Sequence, residues 1–277
     1  MSTTAATQKL AFVEKNTSAA TSVVFLHGAG SCHLEWESVC ESAALASYHM
    51  ILVDLPHHHG SRHIRPFALD VAADLVARVI TDAAHGGRAH VVGMSLGGFT
   101  ALELVARHPH VASSCFTSGA MVYQGVYKWF MEHPAMMGAV DSVVSSVPGL
   151  TGLLERQQGI SPSPALKAAI AQGKSKTRAE EVNLALTKHF GQETVHRVAG
   201  SGVRTCVVAG ARMDHVDSVR RMGLALKEGG EKQGVRNMAF VVREAVHWWN
   251  QQLPDSFARG VSAWVEGTQL PPEFKEL

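Results

Sequence analysis

The chain has 277 residues, of which 46% are hydrophobic, so it is long and apolar enough to bury the core of one large α/β domain. Its 25 basic and 24 acidic residues give a net charge of +1, which favours neither a nucleic-acid partner nor an acidic membrane. Because residues 1–8 are polar and no apolar span reaches membrane length, we expect a cytoplasmic protein without a signal peptide or membrane attachment.

Strand-like and helix-like segments alternate along the first 120 residues. Apolar runs predict strands at residues 8–13, 22–26, 49–56, 88–94 and 111–118. A short helix is predicted from Trp36, and longer helices over residues 68–83 and from Ser95 to about His108. This alternation predicts a parallel sheet with right-handed helical crossovers.

The alternation stops after residue 120. Tyr123, Tyr127 and Phe130 recur at helical spacing, and no strand pattern follows them before residue 200. Further along, residues 177–180 (Thr-Arg-Ala-Glu) form a capping-box pattern, which predicts the start of another helix.

The sheet pattern then resumes. We predict a connecting helix at 193–199, a strand at 203–209, a helix at 216–227 and a last strand at 235–242. A final helix begins at Pro254, and residues 267–277 are predicted to be a tail. The predicted organisation is an α/β core of residues 1–120 and 189–277 that carries a helical lid, residues 121–188.

Four cysteines are scattered along the chain, at Cys32, Cys40, Cys115 and Cys206. Cys115 and Cys206 fall within strand-like runs, which favours reduced core thiols. A disulfide between Cys32 and Cys40 stays open as an alternative.

Residues 93–97 (Gly-Met-Ser-Leu-Gly) carry the clearest chemical signal. They lie between a predicted strand and a predicted helix, which is the context of a nucleophile elbow. In such a turn Ser95 has a strained backbone that lifts its hydroxyl into open space, and the glycines avoid collisions with neighbouring backbone. A plain glycine-rich turn is the alternative interpretation.

A serine hydroxyl needs a base to take its proton and a third group to orient that base. His247 follows the last predicted strand and is the candidate base. Asp214 is the candidate acid because it follows a predicted strand, and Asp217 in the next helix stays open as an alternative. The chain order Ser95, Asp214, His247 agrees with serine, acid and histidine in this kind of architecture.

Two backbone amides are candidates for an oxyanion hole. One belongs to Leu96, directly after the serine, and the other to Ala29, in the small-residue loop that follows the strand at 22–26.

The remaining polar motifs are predicted to be structural. His27 is expected to hold the loop beside it, and Asp54 to form a turn. Residues 57–59 (His-His-His) do not predict a metal site, because adjacent side chains point in different directions and no further ligands cluster with them. We expect neither a metal nor an organic cofactor.

Together these motifs resemble the α/β-hydrolase superfamily, in its serine-nucleophile, esterase- and lactonase-like branch. Residues 27–30 (His-Gly-Ala-Gly) resemble its oxyanion loop, residues 54–61 its aspartate-x-proline turn, and residues 93–97 its elbow. His247 followed by Pro254 resembles its histidine-to-last-helix segment. The resemblance covers residues 8–266 outside the insertion. It implies an α/β-hydrolase fold, with a mostly parallel sheet, flanking helices and an inserted lid.

The chain departs from the family in one respect. Family members commonly place the acid three residues after the glycine that ends the strand, and here that position is Met213. The departure leaves the choice between Asp214 and Asp217 open.

The resemblance implies a serine hydrolase that cleaves a small, apolar carboxylic ester or lactone through an acyl-enzyme intermediate. In that reaction Ser95 is the nucleophile, His247 the base and Asp214 the orienting acid. The competing hypothesis keeps the fold without hydrolysis. The protein would then be a ligand receptor, or a lyase or carbon–carbon bond-cleaving enzyme that uses the same triad.

Overall fold

The computed structural model describes residues 8–133 and 150–277. The segment at 1–7, which bears on the signal peptide, and residues 134–149 of the predicted lid lie outside the described residues.

The strands form one eight-stranded sheet in the order β1-β3-β2-β4-β5-β6-β7-β8. The strands from β2 to β7 pair in parallel, and only the two edge strands are antiparallel. The parallel sheet predicted from the alternation is therefore confirmed. The strands are β1 Phe12–Lys15, β2 Thr21–Leu26, β3 Tyr48–Val53, β4 Ala89–Met94, β5 Ala112–Ser118, β6 Thr205–Gly210, β7 Met238–Val242 and β8 Phe274–Glu276.

Helices flank this sheet and continue between β5 and β6. The α-helices are α1 Glu37–Cys40, α2 Leu69–Ala83, α3 Leu96–Arg107, α4 Gly125–Glu132, α5 Leu150–Gln157, α6 Pro164–Gln172, α7 Lys176–His189, α8 Gln192–Ala199, α9 Val216–Lys232, α10 Trp249–Gln252 and α11 Pro254–Glu266. Short 3₁₀ helices occupy His33–Trp36, Ala43–Leu45, His59–Ser61, His85–Gly87 and Pro109–Val111.

Two separate apolar clusters cover the two faces of the sheet. One includes Leu75 of α2 and Leu102 of α3, and the other includes Trp36 and Phe257. Because both faces are covered, the central strands are buried on both sides; every residue of β3 is buried, for example. The sheet is thus a rigid support whose strand ends can hold polar groups in fixed positions.

The edge strands differ from the sequence-based expectation. The first strand occupies Phe12–Lys15 rather than 8–13, where Phe12 pairs with Val53 across an antiparallel edge. The predicted tail at 267–277 contains β8, because Phe274 is buried and pairs with Val242. A three-residue edge strand is too short to show an alternating pattern, so the tail prediction was wrong there.

The helix predicted from the capping box begins slightly earlier than expected. Ser175, not Thr177, caps α7, because its hydroxyl accepts the backbone N–H of Arg178 at 3.2 Å. The helix therefore starts at Lys176, and the Ser175 hydroxyl satisfies one of the N–H groups that have no partner within the helix.

The cysteines at 32, 40, 115 and 206 are all buried and unpaired, so the alternative Cys32–Cys40 disulfide is absent. In the described part of the chain, none of the helices combines the length and the apolar character that a membrane span requires.

Candidate active site

Ser95 lies at a sharp turn between β4 and α3. Its backbone has φ 52° and ψ −115°, a conformation that L-residues rarely adopt. The turn is held because the Ser95 N–H donates to the carbonyl of Ser118 at the end of β5, at 2.7 Å. A Cβ on Gly93 would meet the backbone of Gly97, and one on Gly97 would meet the backbone of Leu26, both well inside 3.0 Å. The elbow therefore requires both glycines.

Ser95, His247 and Asp214 are connected in that order by hydrogen bonds. The His247 Nε2 atom lies 3.0 Å from Ser95 Oγ, and its Nδ1 atom lies 2.5 Å from Asp214 Oδ1. The Asp214 side chain is 4% exposed, whereas that of His247 is 40% exposed. This arrangement places a base beside the hydroxyl and a buried carboxylate behind the base, so the hydroxyl proton has an acceptor.

The loop after β6 explains how Asp214 reaches His247, although it is the fourth and not the third residue after Gly210, the last residue of the strand. The Asp214 N–H bonds the Gly210 carbonyl at 2.9 Å, and the Gly210 N–H bonds Asp214 Oδ2 at 2.7 Å. This tight turn folds the fourth residue after the strand back over the strand end. Met213 is 58% exposed and has no carboxylate to offer His247, and Asp217 is exposed in the first turn of α9.

In the loop after β2, the backbone N–H groups on both sides of Ala29 are hydrogen-bonded. The Gly28 N–H donates to Glu35 Oε2 at 3.1 Å, the Gly30 N–H to His58 Nε2 at 3.1 Å, and the Ser31 N–H to the Gly28 carbonyl at 3.2 Å. Within residues 8–133 and 150–277, the Ala29 N–H has no such acceptor, and neither has the N–H of Leu96 at the start of α3. Both amides are therefore available to an incoming oxyanion.

A cavity of about 470 Å³ opens over these groups. Ser95, Asp214 and His247 line it together with Ala29 and Leu96, and Asn183 and His215 add further polar groups. The rest of its wall is mainly apolar and comes largely from the region between β5 and β6 and from the loop after β6; it includes Met121, Tyr123, Met131, Val182, Leu186 and Met213. The size and lining suit a small organic molecule with an apolar part.

This geometry can be compared with known proteins. The model of the Alpha/beta hydrolase family matches residues 23–261, which is most of the chain. The chain belongs to the alpha/beta hydrolase family. Its fold is the α/β-hydrolase fold, as the sequence motifs implied, and its eight-stranded, mostly parallel sheet is the family's scaffold.

Individual members of the family resemble this hydrolase to different extents. An AB hydrolase superfamily protein of Gibberella zeae is 28% identical over 98% of this chain and 89% of its own length. A pimeloyl-[acyl-carrier protein] methyl ester esterase of Neisseria meningitidis is 38% identical, over 35% of each chain. Among solved structures, an esterase from Exiguobacterium antarcticum has a TM-score of 0.70 at 16% identity and covers 93% of this chain and 95% of its own. This last similarity concerns the fold alone.

In this α/β hydrolase the pKa of His247 is raised above its ordinary value. Burial opposes protonation of the ring, but the hydrogen bond and charge of Asp214, with a further contribution from the charge of Glu35, outweigh that effect. The imidazole is thus a stronger base than a free histidine, which suits proton abstraction from a hydroxyl.

Glu35 is a polar residue of this region that no sequence motif indicates. Its side chain is fully buried, and burial raises the pKa of its carboxyl group. One oxygen accepts the Gly28 N–H, and the other accepts the Asn250 side-chain N–H at 2.9 Å. Glu35 therefore joins the loop after β2 to the segment after His247. The only signal in the sequence is an acidic residue directly before Trp36, a core residue.

His27 holds the loop after β2, as its position suggested. Its Nδ1 atom donates to the Gly28 carbonyl at 2.8 Å, and its Nε2 atom accepts the Leu55 N–H at 3.0 Å. Since one nitrogen must donate and the other must accept, the ring is neutral. Burial is the main reason that the pKa of His27 falls to about 4.

The histidine run at 57–59 spreads its side chains over different partners. His57 pairs with Glu181 of α7 at 2.8 Å, His58 accepts the Gly30 N–H, and the ring of His59 packs edge-on against that of His33. These three rings therefore hold neighbouring segments together.

One group of three potential metal ligands occurs among the described residues: Cys32, His33 and Asp54. Asp54 already accepts the His33 backbone N–H at 2.8 Å, lies 3.0 Å from His33 Nδ1 and accepts the Gly60 N–H at 3.1 Å. Burial raises the pKa of the Cys32 thiol to about 12, so the thiol is protonated. Asp54 thus connects two loops, as expected for a turn-forming residue.

Proposed function

We propose that this α/β hydrolase cleaves small carboxylic esters or lactones, with Ser95 as nucleophile, His247 as base and Asp214 as orienting acid. The observation that carries the proposal is the hydrogen-bonded chain from Ser95 Oγ through His247 to Asp214, at 3.0 and 2.5 Å. The esterase relative of Neisseria meningitidis is consistent with the same reaction class.

The reaction proceeds in two halves. Ser95 Oγ attacks the carbonyl carbon while His247 Nε2 takes the hydroxyl proton, and the N–H groups of Ala29 and Leu96 bind the oxyanion. Collapse of this intermediate breaks the ester bond, and the leaving alcohol takes the proton from His247. Water then attacks the acyl-enzyme with His247 again as base, which releases the carboxylic acid and restores Ser95.

We further propose that residues 121–188 act as a lid over the site. Met131 of α4 and Val182, Asn183 and Leu186 of α7 contribute to the wall of the cavity above Ser95. The apolar side chains of Met131, Val182 and Leu186 would contact the apolar part of a small-molecule substrate. Residues 134–149 of this segment lie outside the described residues.

The first experiment asks whether Ser95 is reactive. A fluorophosphonate probe and a short-chain nitrophenyl ester are offered to wild type and to Ser95→Ala. We expect labelling and turnover of wild type only, with a loss on the order of 10⁴-fold or more in kcat for the variant. Equal turnover by both proteins would overturn the proposal.

The same experiment separates the competing functions. Ligand binding without labelling or ester turnover would favour a receptor. Labelling that depends on Ser95, without turnover of any ester, would favour a lyase or a carbon–carbon bond-cleaving enzyme built on the same three residues.

A further inference from the structure

Arg178 is a buried cation that the catalytic proposal does not use. It lies in the first turn of α7, only 8% of its surface is exposed, and burial lowers the pKa of its guanidinium. A Cβ on Gly30 would lie 3.7 Å from Nη2, and a Cβ on Gly173 would lie 3.5 Å from Nη1. The guanidinium is therefore between the loop after β2 and the end of α6.

This guanidinium has no countercharge within the part of the chain that the structure describes. No carboxylate lies within 4.0 Å of it there, and its N–H groups donate no hydrogen bond to the described residues. The nearby acid of the same helix, Glu181, is already bound to His57 and to the Phe67 N–H. By contrast, Arg107 and Arg197 each pair with a carboxylate.

The ionisable groups close to Arg178 cannot replace a countercharge. Burial is the main cause of the lowered pKa values of His27 and His58, and the positive charge of Arg178 lowers both further. Both rings stay neutral in their hydrogen bonds to the loop. A largely buried guanidinium that has no protein acceptor among the described residues is stabilised when an anion joins it.

We infer that Arg178 binds a carboxylate carried by the substrate, so that the ester cleaved at Ser95 bears a second, ionised carboxyl group. This inference rests on the proposed esterase function. Hydrolysis of such an ester consumes one water and releases an alcohol and an acid, one of which carries the second carboxylate.

The position of Arg178 suits that role. Gly30 follows Ala29, which lines the cavity, and Val182 lies one helical turn after Arg178 in the cavity wall. A Cβ on Gly28 would lie 3.7 Å from the Ser95 Cβ, and Gly28 and Gly30 are at most about 7 Å apart along the loop. Arg178 thus lies next to two parts of the cavity wall, and an apolar spacer in the substrate would connect an ester group at Ser95 with a carboxylate at Arg178.

A carboxylate fits this site better than a phosphate. The guanidinium is a flat fork that matches the two oxygens of one carboxylate. The two histidine rings near it, His27 and His58, are neutral and add no positive charge, whereas a phosphate dianion needs more than one cation or several further donors. The close approach of Gly30 and Gly173 also favours a flat group.

The inference is tested with two pairs of esters of matched size. In the first pair, the nitrophenyl monoester of adipic acid is compared with nitrophenyl hexanoate, so the carboxylate is in the acyl part. In the second, 4-acetoxybenzoate is compared with its methyl ester, so it is in the alcohol part. We expect wild type to have a kcat/KM at least about 10-fold higher for the anionic member of one pair.

Arg178→Gln should remove this preference through an increase in KM, while kcat/KM for the neutral esters changes less than about twofold. Arg178→Lys should keep part of the preference, since the charge stays and the fork is lost. Lys176→Gln is the matched control, because it removes an exposed charge two residues away. It should change kcat/KM for neither the anionic nor the neutral esters. Equal losses for anionic and neutral esters in Arg178→Gln, or no preference in wild type, would overturn the inference.

A binding measurement keeps this result separate from the catalytic proposal. Adipate should raise the Tm of wild type but not of Arg178→Gln, and hexanoate, sulfate and phosphate should raise it much less. The variant without ligand should melt no lower than wild type, because it loses an unpaired buried charge. A lower Tm, or equal effects of adipate and sulfate, contradicts the carboxylate site. Adipate binding without ester turnover upholds the site and overturns the esterase.

Discussion

Two histidines at the same edge of the sheet have opposite properties. His247 has a raised pKa and a side chain that is 40% exposed, whereas His27 is fully buried and has a pKa of about 4. Both rings are held at two nitrogens, so the number of hydrogen bonds does not distinguish them.

The partners explain the difference. His247 contacts a carboxylate on one side and a hydroxyl on the other, so protonation adds an ion pair with Asp214. His27 contacts a carbonyl and a backbone N–H, so protonation of its Nε2 would direct a new N–H at the N–H of Leu55. One ring can therefore exchange a proton during a reaction, while the other keeps the loop of Ala29 in place.

The largest expected effect comes from the carboxylate behind His247. In Asp214→Asn, kcat should fall by about 10⁴-fold while the protein stays folded, because the imidazole loses its orientation and the imidazolium its countercharge. Steady-state kinetics measures the fall in kcat, and a thermal melt shows whether the variant stays folded. Asp217→Asn is the matched control and should leave kcat unchanged. A large loss of kcat in that variant instead would identify Asp217 as the orienting acid.

The loop that His27 holds provides the next test. Ala29→Pro removes one amide N–H from the site, and the loss of an oxyanion donor should lower kcat by about 10²–10³-fold. Ala29→Ser keeps the N–H and should stay close to wild type, since residue 29 is exposed. If both variants lose activity equally, the side chain rather than the amide is responsible, and the assignment of Ala29 fails.

His27 should also make the protein sensitive to acid. Its folded pKa of about 4 lies below the ordinary 6.5, so above pH 6.5 its full contribution to stability is present. As the pH falls towards 4, the unfolded chain binds a proton that the folded chain does not. The free energy of unfolding then decreases by up to about 3 kcal/mol. Urea unfolding between pH 7 and pH 5 should thus show a smaller loss of stability in His27→Asn than in wild type.

The exposed His63 supplies the control for that experiment, and His63→Asn should keep the pH dependence of wild type. Identical slopes for wild type and His27→Asn would mean that His27 is protonated in the folded protein, against the hydrogen bonds of its ring.

Glu35 binds the Gly28 N–H next to His27 and also acts on His247 through its charge, and its replacement should give the smallest effect. Its negative charge contributes to the raised pKa of His247, and activity requires the neutral imidazole, so activity declines as pH falls through that pKa. In Glu35→Gln the acid limb of kcat/KM should move to lower pH by less than about one unit. Glu41→Gln, an exposed acid nearby, should not move it. An unchanged limb in Glu35→Gln would show that Glu35 carries no charge at those pH values.

Local sequence was sufficient for some of these features. The glycines around Ser95 could be interpreted from the sequence because the elbow is a short-range geometry that few residues allow. The same holds for the alternation of strands and helices, since buried parallel strands are apolar along their whole length. The choice between Asp214 and Asp217 could not be made, because the turn from Gly210 to Asp214 depends on contacts with the strand end.

The sequence by itself determined the family, the elbow at Ser95 and the chain order of its partners, because each is encoded by neighbouring residues. The tertiary structure alone decided the edge strand around Phe274, the buried Glu35 and the unpaired Arg178. The physical reason is that burial and pairing of a charge depend on which distant segments pack around it, and no local pattern records that packing.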